Sequence, residues 1–164
     1  MSDKIAGIDV HQKMLAVVVA DVAIEGEYDF ERRPFGAHPD ELRRLADGLI
    51  EQQIQEVVME STAQYGRPVW HVLERYWKAT CQGGEGAGPT AGSPVLAHAQ
   101  SHRGPRGRKK DFVDAERLVK RLVAQELILS FVPDSEQRLW RTVMRRRYQL
   151  TCDRVRWQNQ LESL

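Results

Sequence analysis

Two apolar runs open the chain almost without a break. Lys4-Ile5-Ala6-Gly7-Ile8-Asp9-Val10-His11 is followed at once by Met14 to Val22, and two short runs of strand formers so close together predict a central hairpin. Glu25-Gly26-Glu27 marks a turn, and Tyr28 to Phe35 supplies a third strand, completing an antiparallel meander. The period then changes. His38-Pro39-Asp40-Glu41 is a helix start, with proline near the first helical position and acids at the positive end of the macrodipole. Leu42, Leu45, Leu49 and Ile50 line one face of that helix down to about Gln53. Ile54 to Ser61 returns to strand through Val57-Val58-Met59, with Glu60 at its end. A loop over Thr62 to Gly66 leads into an amphipathic helix, Arg67 to Trp77, whose Val69, Val72, Leu73 and Tyr76 are expected to face the sheet.

The second half is less regular. Gln82 to Pro94 holds five glycines and two prolines and predicts a loop, but not a phosphate loop, because the Lys-Ser or Lys-Thr ending is missing. Val95 to Ala99 is a short strand. A helix then opens at Asp111, and Leu118, Val119, Leu122, Val123 and Leu129 are expected to form its buried face. Ser130 to Pro133 closes this unit, and Asp134-Ser135-Glu136 opens a long last helix. There Leu139, Val143, Leu150, Trp157, Leu161 and Leu164 recur at steps of 4, 7, 7, 4 and 3, the narrow seam of a coiled coil rather than a globular face. The expected organisation is a mixed α/β domain over 1–130 and the start of a coiled-coil, dimerising helix over 131–164. The helix pattern runs to the last residue without Gly, Pro or a polar tail, which is read as truncation inside the coiled coil.

Composition narrows the class. With 164 residues, 41% hydrophobic and 29% charged, the chain can bury one modest core. No stretch approaches the roughly 18 apolar residues of a membrane span, and no signal-peptide pattern opens the chain, so a cytoplasmic protein is expected. Cys81 and Cys152 fit no CxxC spacing and are read as free thiols. The net charge of +1 conceals an asymmetry: residues 1–60 carry 13 acids and 6 bases, residues 61–164 carry 10 acids and 18 bases. An acidic first half beside a basic second half suits a metal centre next to a polyanion, and a solvated charge mosaic explains it equally.

Asp9 brings the first candidate chemistry. An acid amid Ile and Val either aims at a metal ion or a cation, or caps the turn before Gln12-Lys13. Glu60 stands in the same way at the mouth of a second apolar strand. Asp111 and Asp114 share one side of the first turn of their helix, where two acids can also simply cap and complement the dipole. If the first and fourth strands lie side by side, Asp9 and Glu60 converge, and the helix bearing Asp111 and Asp114 can cross the same end. Four carboxylates in one place need divalent cations, and hard oxygen ligands select Mg²⁺ or Mn²⁺. Two such ions roughly 4 Å apart stabilise the attacking and leaving oxygens of phosphoryl transfer.

Within this set Asp9 is expected closest to the metal, flanked by Glu60 and Asp114, with Asp111 the member most able to serve only as a cap. His11 is read as a turn histidine rather than a contact with the metal's water shell. His98 and His102 have i,i+4 spacing, but no nearby acid or cysteine completes a ligand set. The run SHRGPRGRKK offers Arg103, Arg106, Arg108, Lys109 and Lys110 as phosphate contacts, and Arg145, Arg146 and Arg147 on the last helix are further candidates.

GIDVHQKML around Asp9, VVMEST around Glu60, GRKKDFVDAERL around Asp111 and Asp114, and the later LILSFVPDSEQRLWRTVMRRRYQL resemble, in order and over nearly the whole chain, the DEDD insertion-sequence transposases of the "IS one-ten" group. The resemblance implies a RuvC-like domain of ribonuclease H fold and a tetrad of Asp9, Glu60, Asp111 and Asp114 holding Mg²⁺. It further implies a DNA recombinase of mobile elements directed by a structured bridge RNA. Members of that group continue into a second domain with a nucleophilic serine, so the sequence given is expected to be incomplete for strand exchange by itself. Ala63, Gln12 and Lys110 depart from residues common in the group, as does a long glycine-rich stretch, and none of these removes a carboxylate. The alternatives are a stand-alone RuvC-type nuclease and a non-catalytic nucleic-acid-binding remnant.

Overall fold

A computed structural model describes residues 4–22, 28–62, 64–78, 94–98 and 111–163. The chain divides into two compact units, Met1–Ser130 and Phe131–Leu164. The first contains strands β1 (Lys4–Val10), β2 (Met14–Asp21), β3 (Asp29–Gly36), β4 (Glu56–Ser61), β5 (Pro94–Ala97) and β6 (Leu129–Ser130). Its helices are α1 (Pro39–Glu51), α2 (Gly66–Val72, continued by a π-helical stretch, Leu73–Lys78) and α3 (Asp111–Val123). The strands form one sheet in the order β3-β2-β1-β4-β5-β6. The first three make the antiparallel meander, β4 and β5 run parallel to β1, and β6 returns antiparallel. This is a mixed six-stranded sheet flanked by helices, the α/β class that the sequence predicts.

Strand periodicity sorts the core into two layers. Ala6, Ile8 and Val10 of β1 and Val57 and Met59 of β4 pack with Leu42, Leu45 and Leu49 of α1 and with Val69, Leu73 and Trp77. Residues of the opposite parity, Ile5, Val18, Ala20 and Val58, pack with Ala115, Leu118 and Val119 of α3. Each large aliphatic side chain so buried contributes about 1.5–3 kcal/mol, which makes the two central strands the main source of stability. The outer strand β3 is mostly exposed and guards its open edge with Glu31, Arg32, Arg33 and Pro34. There the Arg33 guanidinium, hydrogen-bonded at 2.7 Å, holds the Glu31 carboxyl below its ordinary value.

Two expectations need correction. Tyr76 was expected against the sheet, yet Trp77 is fully buried and Tyr76 half-exposed. The cause is the wider π-helical winding, which spaces the buried positions Val69, Leu73 and Trp77 four apart. Tyr76 instead lies under the Arg43 guanidinium, 3.8 Å from ring centroid to Cζ, and ties α2's extension to α1. Leu129 does not continue the buried face of α3. That helix ends at Val123, because Gln125 takes a left-handed conformation (φ 57°) and Glu126 N–H closes back on the Arg121 carbonyl at 2.9 Å. Leu129 then enters the two-residue strand β6, which the periodicity did not predict, and is 48% exposed. Gln53 ends α1 in the same way, with φ 57° and Ile54 N–H on the Leu49 carbonyl at 3.0 Å.

Gly48, inside α1, has no heavy atom within 4 Å of where a Cβ would stand. Gly48→Ala therefore removes unfolded-state freedom without a clash, and urea unfolding should show a gain of about 0.5–1 kcal/mol.

The second unit is a single long helix, α4 (Ser135–Glu162), capped by the Asp134 carboxylate accepting from Gln137 N–H at 2.7 Å. None of its residues is buried, and Leu139, Val143, Leu150, Trp157 and Leu161 of the seam are all exposed. Leu164 lies outside the described residues. No helix among the described residues is long and apolar enough to cross a membrane.

Candidate metal centre

β1 and β4 run parallel in a register that sets Asp9 opposite Glu60. Aligned residues of neighbouring parallel strands point to the same side, with backbones about 4.8 Å apart. The two acids therefore stand side by side at the carboxyl ends of the central strands, on the face that carries α3. Asp9 is 4% exposed, the one buried charged side chain among the described residues. An ionised group so placed is costly unless cationic or hydrogen-bonding partners surround it.

Helix α3 brings the next acid. A Cβ on Gly7 would stand 2.5 Å from the Ala115 carbonyl oxygen and 2.7 Å from Val119 Cγ2, so the helix backbone rests directly on β1 where no side chain intervenes. From Gly7 to Asp9 is two strand residues, about 6.6 Å; from Ala115 back to Asp111 is four helical residues, about 6 Å. The matched steps carry Asp111 to the end of β1.

His11 closes the group. Its backbone N–H donates to the Met14 carbonyl at 2.9 Å, fixing the β1–β2 turn. Its Nε2 lies 3.1 Å from Asp9 Oδ2 and 3.0 Å from Asp111 Oδ1. One ligand atom from each of Asp9, His11 and Asp111 falls within 4.8 Å of the others. Ligands of a single divalent ion sit about 2.0–2.6 Å from it and hence no more than about 5 Å apart, so this donor set fits a metal. Two carboxylates also match the charge of a divalent cation.

His11 is therefore more than a turn residue, contrary to the expectation from sequence. Parity could have found it: residues 5, 7, 9 and 11 share a face, and the turn beginning at His11 keeps the side chain there. Of the helix-opening acids, Asp111 meets the strand residues. Asp114 is 17% exposed at its side chain and accepts from Arg117 Nη1 at 2.7 Å. Glu60 and Asp114 lie outside the three-residue group, Glu60 at the next strand position and Asp114 three residues along α3. Arg103, Arg106, Arg108, Lys109, Lys110 and His102 lie outside the described residues. Arg145, Arg146 and Arg147 are exposed on α4, and His98 is exposed after β5.

Comparison with known proteins adds the family. In the solved structures, Thermus thermophilus RuvC in complex with a Holliday junction substrate is 12% identical, with a TM-score of 0.47 over 78% of this chain and 99% of that one. A second Thermus thermophilus RuvC structure is 13% identical, with a TM-score of 0.44 over 77% and 99%. An Aquifex aeolicus PPX-GPPA enzyme is 12% identical, with a TM-score of 0.35 over 46% and 32%. No curated protein matches the sequence. The sequence profile of the IS110-type DEDD transposases, described as a transposase, matches residues 6–164, and the chain belongs to that family.

Proposed function

We propose that this chain carries the acidic, metal-binding centre of a DNA transposase that cuts and exchanges strands of a mobile element with Mg²⁺ or Mn²⁺, guided by a structured bridge RNA. The observation that carries the reading is the convergence of a buried strand acid, Asp9, with an acid delivered by a separate helix, Asp111, beside the in-register Glu60. Family membership over residues 6–164 supports the substrate class. When bound, a divalent ion supplies Lewis acidity at the phosphate and a nucleophilic oxygen near neutral pH.

The chain's own groups supply position. Asp9 is immobilised by strands on both sides, Glu60 by β4, and Asp111 by the seat of α3 on Gly7. Asp114, paired with Arg117 at 2.7 Å, completes the proposed tetrad. The basic run from Arg103 to Lys110 immediately precedes Asp111 and is proposed to hold the nucleic-acid backbone, with Arg145, Arg146 and Arg147 as further phosphate contacts. The exposed seam of α4 is proposed to pair with a second copy as a coiled coil, and the protein to act in the cytoplasm. Strand exchange is proposed to need a further domain.

Calorimetric titration of the 164-residue chain with Mn²⁺, with and without a structured RNA, tests the centre. Saturable binding of one or two ions per chain, reversed by EDTA, is the expected result. RNA binding with no metal uptake in either sample would reduce the chain to a nucleic-acid-binding module.

A further inference from the structure

The His11 contacts carry a consequence for metal choice. A single imidazole nitrogen holds either one proton or one lone pair. Nε2 of His11 nevertheless faces two carboxylate oxygens from different elements, at 3.1 Å and 3.0 Å. One N–H cannot make two good hydrogen bonds in different directions, and an unprotonated nitrogen would repel both oxygens. A cation among the three atoms removes the conflict, since one lone pair from each donor can then point at it.

The distances agree with that arrangement. An octahedral ion with ligands at about 2.1 Å has neighbouring donors about 3.0 Å apart. The His11–Asp9 and His11–Asp111 separations of 3.1 Å and 3.0 Å match two such edges, and the whole group spans no more than 4.8 Å.

We infer that His11 is an inner-sphere ligand of the centre, and that its nitrogen makes the site select Mn²⁺ or another transition-metal ion over Mg²⁺. The inference rests on the metal-centre reading above. Mg²⁺ prefers an all-oxygen shell, whereas imidazole favours first-row transition ions. A mixed set of two carboxylates and one imidazole therefore discriminates where four carboxylates would not.

The test reads the bound ion directly. Pulsed electron paramagnetic resonance of Mn²⁺ on the whole chain should show hyperfine coupling to a ¹⁴N nucleus. The coupling should change to that of ¹⁵N when the protein is grown on ¹⁵N-histidine, which needs no substitution. In His11→Asp, which restores an all-oxygen set, Mn²⁺ should still bind, the nitrogen coupling should vanish, and the Mn²⁺/Mg²⁺ affinity ratio should fall at least about tenfold. Bound Mn²⁺ without nitrogen coupling in the wild type would overturn the inference and leave the metal centre standing. An unchanged ratio in a folded His11→Asp chain would also overturn it. Absence of any bound Mn²⁺ in the wild type would overturn the inference and the parent reading together.

Discussion

Asp9→Asn should lower Mn²⁺ affinity by more than about a hundredfold, since loss of even an outer-shell partner costs about 10–100-fold in metal sites. The substitution keeps the shape of the side chain while removing its charge and turning one acceptor oxygen into an NH₂ donor, so the apolar packing around it has no reason to change. Asp9 is buried at 4% exposure in the central strand, with its neighbours on β2 and β4 in register. An amide at this buried position costs less to hold away from water than an ionised carboxylate would. The metal-free Asp9→Asn chain should therefore melt within a few degrees of the wild type, while losing metal-dependent stabilisation. Thermal unfolding with and without Mn²⁺ reads both effects. A variant that melts like the wild type and still gains stability from Mn²⁺ would remove Asp9 from the centre.

Gly7→Ala should damage both the fold and the site. The added methyl would stand 2.5 Å from a backbone carbonyl of α3 and 2.7 Å from Val119 Cγ2, with Val18 Cγ2 of β2 at 3.2 Å. A flexible side chain can yield to such a contact, but the Ala115 carbonyl moves only with its helix. Overpacking of this kind costs about 1–3 kcal/mol, occasionally more. The larger consequence is geometric, because a helix pushed off β1 carries Asp111 away from Asp9 and His11. Mn²⁺ affinity should fall about 10–100-fold alongside the stability loss, by the same reckoning as for misplaced supporting groups. Urea unfolding and a Mn²⁺ titration on one preparation measure the two together. Gly48→Ala, the same chemical change at an open position, is the control expected to act with opposite sign on stability. Unchanged stability and affinity in Gly7→Ala would mean that α3 does not seat on β1 as described.

Local pattern carried most of the architecture. The strand and helix periods along residues 4–61 yielded β1, β2, β4 and α1, because each carries an apolar stripe with turn or cap signals at its ends, and β3, mostly polar, because it follows a turn and completes the meander. The four acids were legible for a related reason: an acid inside an apolar strand, or a pair opening a helix, breaks a local pattern that packing alone explains. Regular α-helical winding fails in two places. The π-helical stretch replaced Tyr76 with Trp77 in the core, and the left-handed Gln125 ended α3 before Leu129. Both are backbone events with no residue signature, since neither a glycine nor a proline marks them.

Sequence by itself thus determined most of the elements, their main apolar faces and the acids that stand out against them, because those are properties of nearest neighbours along the chain. Tertiary structure decided the company they keep. The parallel register of β1 and β4 puts Glu60 beside Asp9, and the bare surface at Gly7 lets α3 deliver Asp111 rather than Asp114 to the strand end. The turn after β1 then folds His11 between the two carboxylates. Each of these depends on distances of a few ångströms between segments as much as about a hundred residues apart, which strand register and helix packing settle and local periodicity does not encode.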